Sequence, residues 1–305
     1  MPEILSRRHF LATTGGALAG AALLGACGGD DDEGSDPTTT TGASSKLVLV
    51  QFFGGGALFA AGEKLRAPFG LADAEGLLPV DDTPESVEVQ IITPDGRGTS
   101  EPITIQRRSD GLERPYFPLI GTLPEPGIYT VRAELGGPAG SEMSVAVNTP
   151  AEVKVIRPGA TMPALQTPTV GDARGVDPIC TRDPACPLHD TTVADVLAQK
   201  RPLALLLSTP GYCQVSICGP VLDVLLGVMG DHPGVVPLHA EVYRDPVAAF
   251  ADQPVTTEDF APAMSELGVH LEPALVLVGA DGKVTERFDA IFDASELDEA
   301  LAALG

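Results

Sequence analysis

Basic residues are scarce in this chain. Against 42 Asp and Glu stand only 19 Lys and Arg, a formal net charge of −23 at pH 7, and that balance repels a nucleic-acid backbone or an anionic membrane surface. Nucleic-acid binding is excluded on this ground. The acidity is shared by residues 1–46, 47–156 and 157–305, so it describes a solvated surface rather than one acidic tail. Long apolar runs are missing too: the stretch from Leu11 to Leu24 is interrupted by Gly15, Gly16 and Gly20 and is too short to cross a bilayer comfortably as a helix. Cysteine is limited to five residues, too few for a disulfide-built scaffold at this length. What the chain has in quantity is Gly (34) and Pro (28) among 305 residues, which punctuate it into short elements over a length that allows two ordinary domains.

The first 27 residues read as an address. A basic segment, Ser6-Arg7-Arg8-His9-Phe10-Leu11, precedes the apolar run, and Leu24-Gly25-Ala26-Cys27 follows it. Basic region, short apolar region and small-residue cleavage site form a removable export signal. Ser-Arg-Arg-x-Phe-Leu resembles the twin-arginine signal, and Leu-Gly-Ala-Cys resembles the lipobox of bacterial lipoproteins. The resemblance implies lipidation of Cys27, loss of residues 1–26, and two acyl chains that anchor the protein stably on the extracytoplasmic face of the cell membrane. Residues 27–46 contain almost nothing apolar and are expected to be a disordered acidic, Thr-rich tether spanning roughly 25 Å.

From residue 47 to 152 the pattern is short β-branched or alternating runs: 47–53, Val87–Ile92, Ile103–Ile105, Gly127–Ala133 and Met143–Val147. Turn formers such as Pro94-Asp95-Gly96 and Gly136-Gly137-Pro138 separate them. This spacing predicts an all-β sandwich. Pro126-Gly127-Ile128-Tyr129-Thr130-Val131 resembles the strand of immunoglobulin-like domains that carries a corner Tyr. No polar constellation here suggests catalysis, so the segment is expected to act as a spacer or binding module.

From residue 157 strands and helices alternate. A helix is expected after an N-cap at Asp190, then a strand Leu203–Ser208, a Cys-containing turn, a helix to Met229, a strand Val235–Tyr243 and a helix Thr257–Leu267. A strand Ala274–Val278, the turn Ala280-Asp281-Gly282-Lys283, a strand Val284–Phe288 and a terminal helix Ala294–Leu304 complete the order. Alternation with one closing hairpin implies an α/β domain with a mixed sheet. Ser208-Thr209-Pro210-Gly211-Tyr212-Cys213 and His270-Leu271-Glu272-Pro273-Ala274 resemble two motifs of the thioredoxin-like superfamily: the redox cysteine after the central strand, and the cis-Pro before the hairpin. The resemblance implies thiol–disulfide exchange, with Pro273 shaping the substrate groove and Glu272 tuning specificity. The chain departs from the family at Leu207, where the usual buried proton-accepting acid would stand.

Setting Cys27 aside leaves Cys180, Cys186, Cys213 and Cys218, an even number in an exported protein. Three pairings exist. The local one, Cys180 with Cys186 and Cys213 with Cys218, assumes no tertiary contact and is the expected one, with the first bond structural. Cys213 is placed in the first turn of a helix, where unpaired N–H groups and the helix dipole favour thiolate. Two cysteines five positions apart in a regular helix point about 140° from each other, so a bond between them requires that turn to unwind. Cys186-Pro-Leu-His189 has the residue types of a metal site, but no second ligand pair stands at suitable spacing. No metal or cofactor is therefore expected. His239 and Glu241 alternate on one strand without an assigned role, and His270 is the candidate third ligand of a copper site with Cys213 and Cys218.

Thr209 through Gly219 also resembles the bacterioferritin-comigratory peroxiredoxins, in which a resolving Cys follows the peroxidatic Cys by five positions. The first reading is an extracytoplasmic, lipid-anchored thiol–disulfide oxidoreductase acting on protein thiols, protein disulfides or an electron-donor protein. Thiol peroxidase is the alternative within redox chemistry. A binding or scaffold lipoprotein with purely structural disulfides is the alternative outside it.

Overall fold

The computed structural model describes residues 47–135, 140–213, 217–251 and 254–304. The export signal, Cys27, the tether, the turn at Gly136-Gly137-Pro138 and residues 214–216 lie outside the described residues. No helix among the described residues is long and apolar enough to cross a membrane. The chain is mostly β-sheet with few helices.

The first half comprises β1 (Val48–Gln51), β2 (Phe59–Ala60), β3 (Lys64–Ala72), β4 (Ser86–Ile92), β5 (Ile103–Gln106), β6 (Phe117–Thr122), β7 (Gly127–Ala133) and β8 (Ser141–Asn148). They form a three-stranded sheet, β1-β3-β6, and a five-stranded sheet, β2-β8-β7-β4-β5. In β8 the alternation is clean: Met143, Val145 and Val147 are buried while Glu142, Ser144 and Ala146 face solvent, as a half-buried strand requires. The Tyr129 hydroxyl donates to the Glu125 carbonyl at 3.1 Å and accepts from its N–H at 3.2 Å, pinning the corner before β7.

Strand β3 was not expected, and its surroundings explain why. It is buried from Leu65 to Ala72, because one face packs in the sandwich while the other meets the second half of the chain, so no alternation marks it. Pro68 and Pro118 also disguise β3 and β6. They stand opposite each other, and the Pro68 carbonyl accepts from Phe52 N–H at 3.1 Å, which turns the Pro68 nitrogen toward β1 as well. The Pro68–Pro118 pair therefore falls where β3 and β6 exchange no N–H bonds, and neither proline costs a β3–β6 ladder bond.

The second half comprises α1 (Val193–Ala198), β9 (Leu203–Leu207), α2 (Cys218–Val228), β10 (Val236–Ala240), α3 (Pro246–Ala249), α4 (Pro262–Leu267), β11 (Ala274–Val278), β12 (Val284–Asp289) and α5 (Ala294–Ala302). The sheet order is β10-β9-β11-β12; β9 and β10 are parallel, while β11 runs against both β9 and β12. Central strands β9 and β11 are continuous apolar runs, buried throughout, because helices cover both faces. Ala204, Leu206, Leu275 and Leu277 pack with Val221, Leu222 and Leu225 of α2 and Leu297 and Leu301 of α5. The alternate residues Leu203, Leu205, Val276 and Val278 pack with Val193 and Val196 of α1 and Met264 and Leu267 of α4.

That second apolar layer is continuous with the core of the first half, and the described residues from 47 to 304 belong to one compact unit. A buried ion pair crosses between the halves: Arg66 of β3 donates to both Glu296 oxygens at 2.7 Å and to the Ile291 carbonyl at 2.6 Å. The Tyr116 hydroxyl bonds the same carboxylate. The two halves thus share an apolar core and a buried ion pair. The expected N-cap Asp190 is also corrected. Thr192 caps α1, its hydroxyl accepting from Asp195 N–H at 3.0 Å, since a hydroxyl three residues before a free N–H satisfies that donor.

Candidate redox site

Strand β9 delivers the chain into Ser208-Thr209-Pro210-Gly211-Tyr212-Cys213, and Cys213 is disulfide-bonded to Cys218 with their Cα atoms 5.9 Å apart. The two sulfur-bearing residues differ in access. Cys213 is half-buried, whereas Cys218 is fully buried. The expectation that Cys213 opens the helix is corrected: α2 begins at Cys218. Side chains five apart in an intact helix diverge too far to bond, so the helix starts only at the second cysteine. The positive end of its dipole acts first on Cys218.

Glu272 completes this site from a neighbouring element. Ala274 of β11 pairs with Leu207 of β9, which brings the cis Glu272–Pro273 peptide beside the end of β9. The Glu272 carboxylate accepts from Thr209 N–H at 2.8 Å and lies 3.7 Å from the Cys218 sulfur. Burial pushes its pKa up to about 7, against the hydrogen bonds from Thr209 and Tyr243. The place of the expected acid is held by Leu207, which is buried apolar core, while a carboxylate reaches the Cys218 sulfur from the segment before β11. Glu272 is half-buried, its carboxylate engaged by Thr209.

The expected Cys180–Cys186 disulfide is also corrected. Both are free thiols, 7% and 5% exposed, and both face His189 and His239. The Cys186 sulfur lies 3.2 Å from His189 Nε2 and 3.4 Å from His239 Nδ1, the Cys180 sulfur 3.8 Å from His239 Nδ1, and the two ring nitrogens 3.3 Å apart. Cys186 N–H donates to the Cys180 sulfur at 3.4 Å. Held together, the thiols separate in acidity: Cys180 is drawn below the ordinary thiol range, first by its hydrogen bond with Cys186, and the same contact with burial drives Cys186 above it.

This cluster abuts the redox loop. The His239 Nε2–H donates to the Ser208 carbonyl at 3.0 Å, and Gly211 N–H donates to the Thr181 hydroxyl at 3.0 Å. Thr181 in turn donates its N–H to Glu241 at 2.6 Å, whose pKa burial pushes up to about 8. His239 and Glu241 therefore brace the loops from β10 and the segment after it. Their alternation was visible in sequence, but their partners, 31 to 60 residues earlier, were not. Thr209 is fully buried and its hydroxyl accepts from Val242 N–H at 3.2 Å. His270 is exposed, and its side chain bonds only the Gly268 carbonyl, at 3.3 Å, among the described residues.

No protein-family model matches the chain, and no curated protein does. Among solved structures it is similar to MTB DsbF in its mixed oxidized and reduced forms (19% identity, TM-score 0.32, 48% of this chain and 100% of that one). It is similar also to a thiol:disulfide interchange protein of the thioredoxin family from Chlorobium tepidum (14% identity, TM-score 0.33, 49% of this chain and 99% of that one). A third likeness is to Salmonella alpha-2-macroglobulin reacted with methylamine (21% identity, TM-score 0.27), of which 42% of this chain covers 8%.

Proposed function

We propose that the chain is a thiol–disulfide oxidoreductase, with residues 157–305 thioredoxin-like and residues 47–152 an immunoglobulin-like sandwich, tethered through lipidated Cys27 to the extracytoplasmic face of the cell membrane. One observation carries the reading: a half-buried Cys213 is bonded to a fully buried Cys218 whose sulfur lies 3.7 Å from the half-buried Glu272 carboxylate. In the reducing direction the Cys213 thiolate attacks one sulfur of a substrate disulfide, forming a mixed disulfide and expelling the other sulfur as a thiolate. Glu272 accepts the Cys218 proton, the Cys218 thiolate attacks the Cys213 sulfur, and the substrate leaves as a dithiol while Cys213–Cys218 forms. The oxidising direction is the same sequence reversed. Pro273 walls the groove beside β9, and the partners are protein thiols, protein disulfides or an electron-donor protein.

Equilibration of the purified chain with glutathione buffers tests this. A potential between about −270 and −120 mV is expected of an exchange catalyst, and a value below about −300 mV identifies a structural bond instead. The anchor is tested separately by the mass of the mature N-terminus, which should carry diacylglycerol on Cys27.

A further inference from the structure

We propose that Cys180, Cys186, His189 and His239 form a closed four-coordinate zinc site behind the redox loop. The four ligand atoms all lie within 4.8 Å of one another. A tetrahedron with Zn–S near 2.3 Å and Zn–N near 2.05 Å has edges of about 3.8 Å between sulfurs, about 3.6 Å between sulfur and nitrogen, and about 3.3 Å between nitrogens. The measured sulfur–nitrogen separations are 3.2, 3.4 and 3.8 Å, and the nitrogen–nitrogen separation is 3.3 Å. Four of the six edges thus match the ideal ones to within about 0.4 Å, and the other two are no longer than 4.8 Å.

The surroundings match a metal ligand set. His239 donates its Nε2–H to the Ser208 carbonyl, which leaves a lone pair on Nδ1 facing the cluster, the orientation that an outer hydrogen bond imposes on ligating imidazoles. His189 is 2% exposed and its Nε2 faces the Cys186 sulfur and His239 Nδ1; its Nδ1, without a hydrogen-bond partner among the described residues, lacks the outer bond that His239 has. Backbone N–H groups of Cys186 and Leu188 point at the Cys180 and Cys186 sulfurs. Binding releases two thiol protons and leaves two thiolates, two neutral imidazoles and one divalent ion, a neutral assembly suited to a buried position. A monovalent ion would leave a buried negative charge. All four protein ligands together close the coordination sphere, so the ion is structural. It would tie the loop 180–189 to β10, and through Ser208 and Thr181 hold the loop that presents Cys213.

The test uses the full chain purified under reducing conditions. Elemental analysis should find about one zinc per chain, unchanged in Cys213→Ser, which separates this site from the exchange cysteines. Replacement by cobalt(II) should give tetrahedral visible bands with thiolate-to-cobalt charge transfer. In Cys186→Ser and His239→Ala, retention against a competing chelator should weaken by more than the roughly 10–100-fold that loss of an outer hydrogen-bond partner alone causes. Absence of bound zinc after reconstitution, an octahedral cobalt spectrum in the unaltered chain, or a Cys180–Cys186 disulfide that persists when zinc is supplied with reductant would each overturn the site. The cobalt spectrum needs no variant, so it stands even where a ligand substitution prevents folding.

Discussion

The Glu272 carboxylate lies 3.7 Å from the sulfur of Cys218, while the residue beneath the end of β9, Leu207, is apolar and buried. In the proposed exchange, proton acceptance falls to the residue before the cis-proline. Since Glu272 also holds Thr209 N–H at 2.8 Å, the acid both steadies the redox loop and serves the buried sulfur.

Exchange should therefore depend on Glu272 ionisation. With a pKa of about 7, the carboxylate accepts the Cys218 proton above that pH and loses the capacity below it. Resolution of a Cys213 mixed disulfide should accelerate as pH rises through 7. In Glu272→Gln this inflection should vanish and the rate fall by about 10²-fold; stopped-flow release of a fluorescent thiol from the mixed disulfide measures both. An unchanged profile in the variant would show that Glu272 takes no proton.

The same group makes stability pH-dependent. Burial raises its folded pKa from the ordinary 4.5 to about 7, so between these values the unfolded chain has released a proton that the folded chain keeps. Its contribution is full below pH 4.5 and is lost as pH rises to 7. Urea midpoints of the unaltered chain should drop across that window more steeply than those of Glu272→Gln.

Breaking the inter-half ion pair should be costly. Arg66 and Glu296 are 5% and 6% exposed, and Arg66→Ala strands a buried carboxylate shared with Tyr116. A loss of about 3–5 kcal/mol is expected, read from chemical denaturation with both halves unfolding in one transition. Two separate transitions in the unaltered chain would contradict the shared core.

Gly211 is needed for close approach. A Cβ there would meet the Thr181 carbonyl oxygen at 2.7 Å, so Gly211→Ala must push the redox loop off the 180–186 loop. Destabilisation of about 1–3 kcal/mol is expected, together with faster alkylation of Cys213 in the reduced protein as its loop loosens.

Much of the architecture follows from local pattern. The alternation in β8, the unbroken apolar runs of β9 and β11 and the Asp281-Gly282 turn specify their elements, because their period and turn chemistry depend on neighbours in sequence. The dipeptide Glu272-Pro273 and the pair Cys213/Cys218 were likewise visible as candidates. Elements whose burial comes from distant chain were not: β3 is covered on both faces by segments far from it, which erases its period.

What the amino-acid sequence determined by itself is the acidic character, the strongly patterned elements such as β8, β9 and β11, and the cysteines available for chemistry. Tertiary structure alone decided their partners. Cys180 and Cys186 stand close enough in sequence to suggest a bond with each other, yet β10 brings His239 against both sulfurs, and a sheet register, not a spacing, carries Glu272 to Cys218. Such pairings depend on which strands lie side by side, a property of the packed chain that no local run of residues encodes.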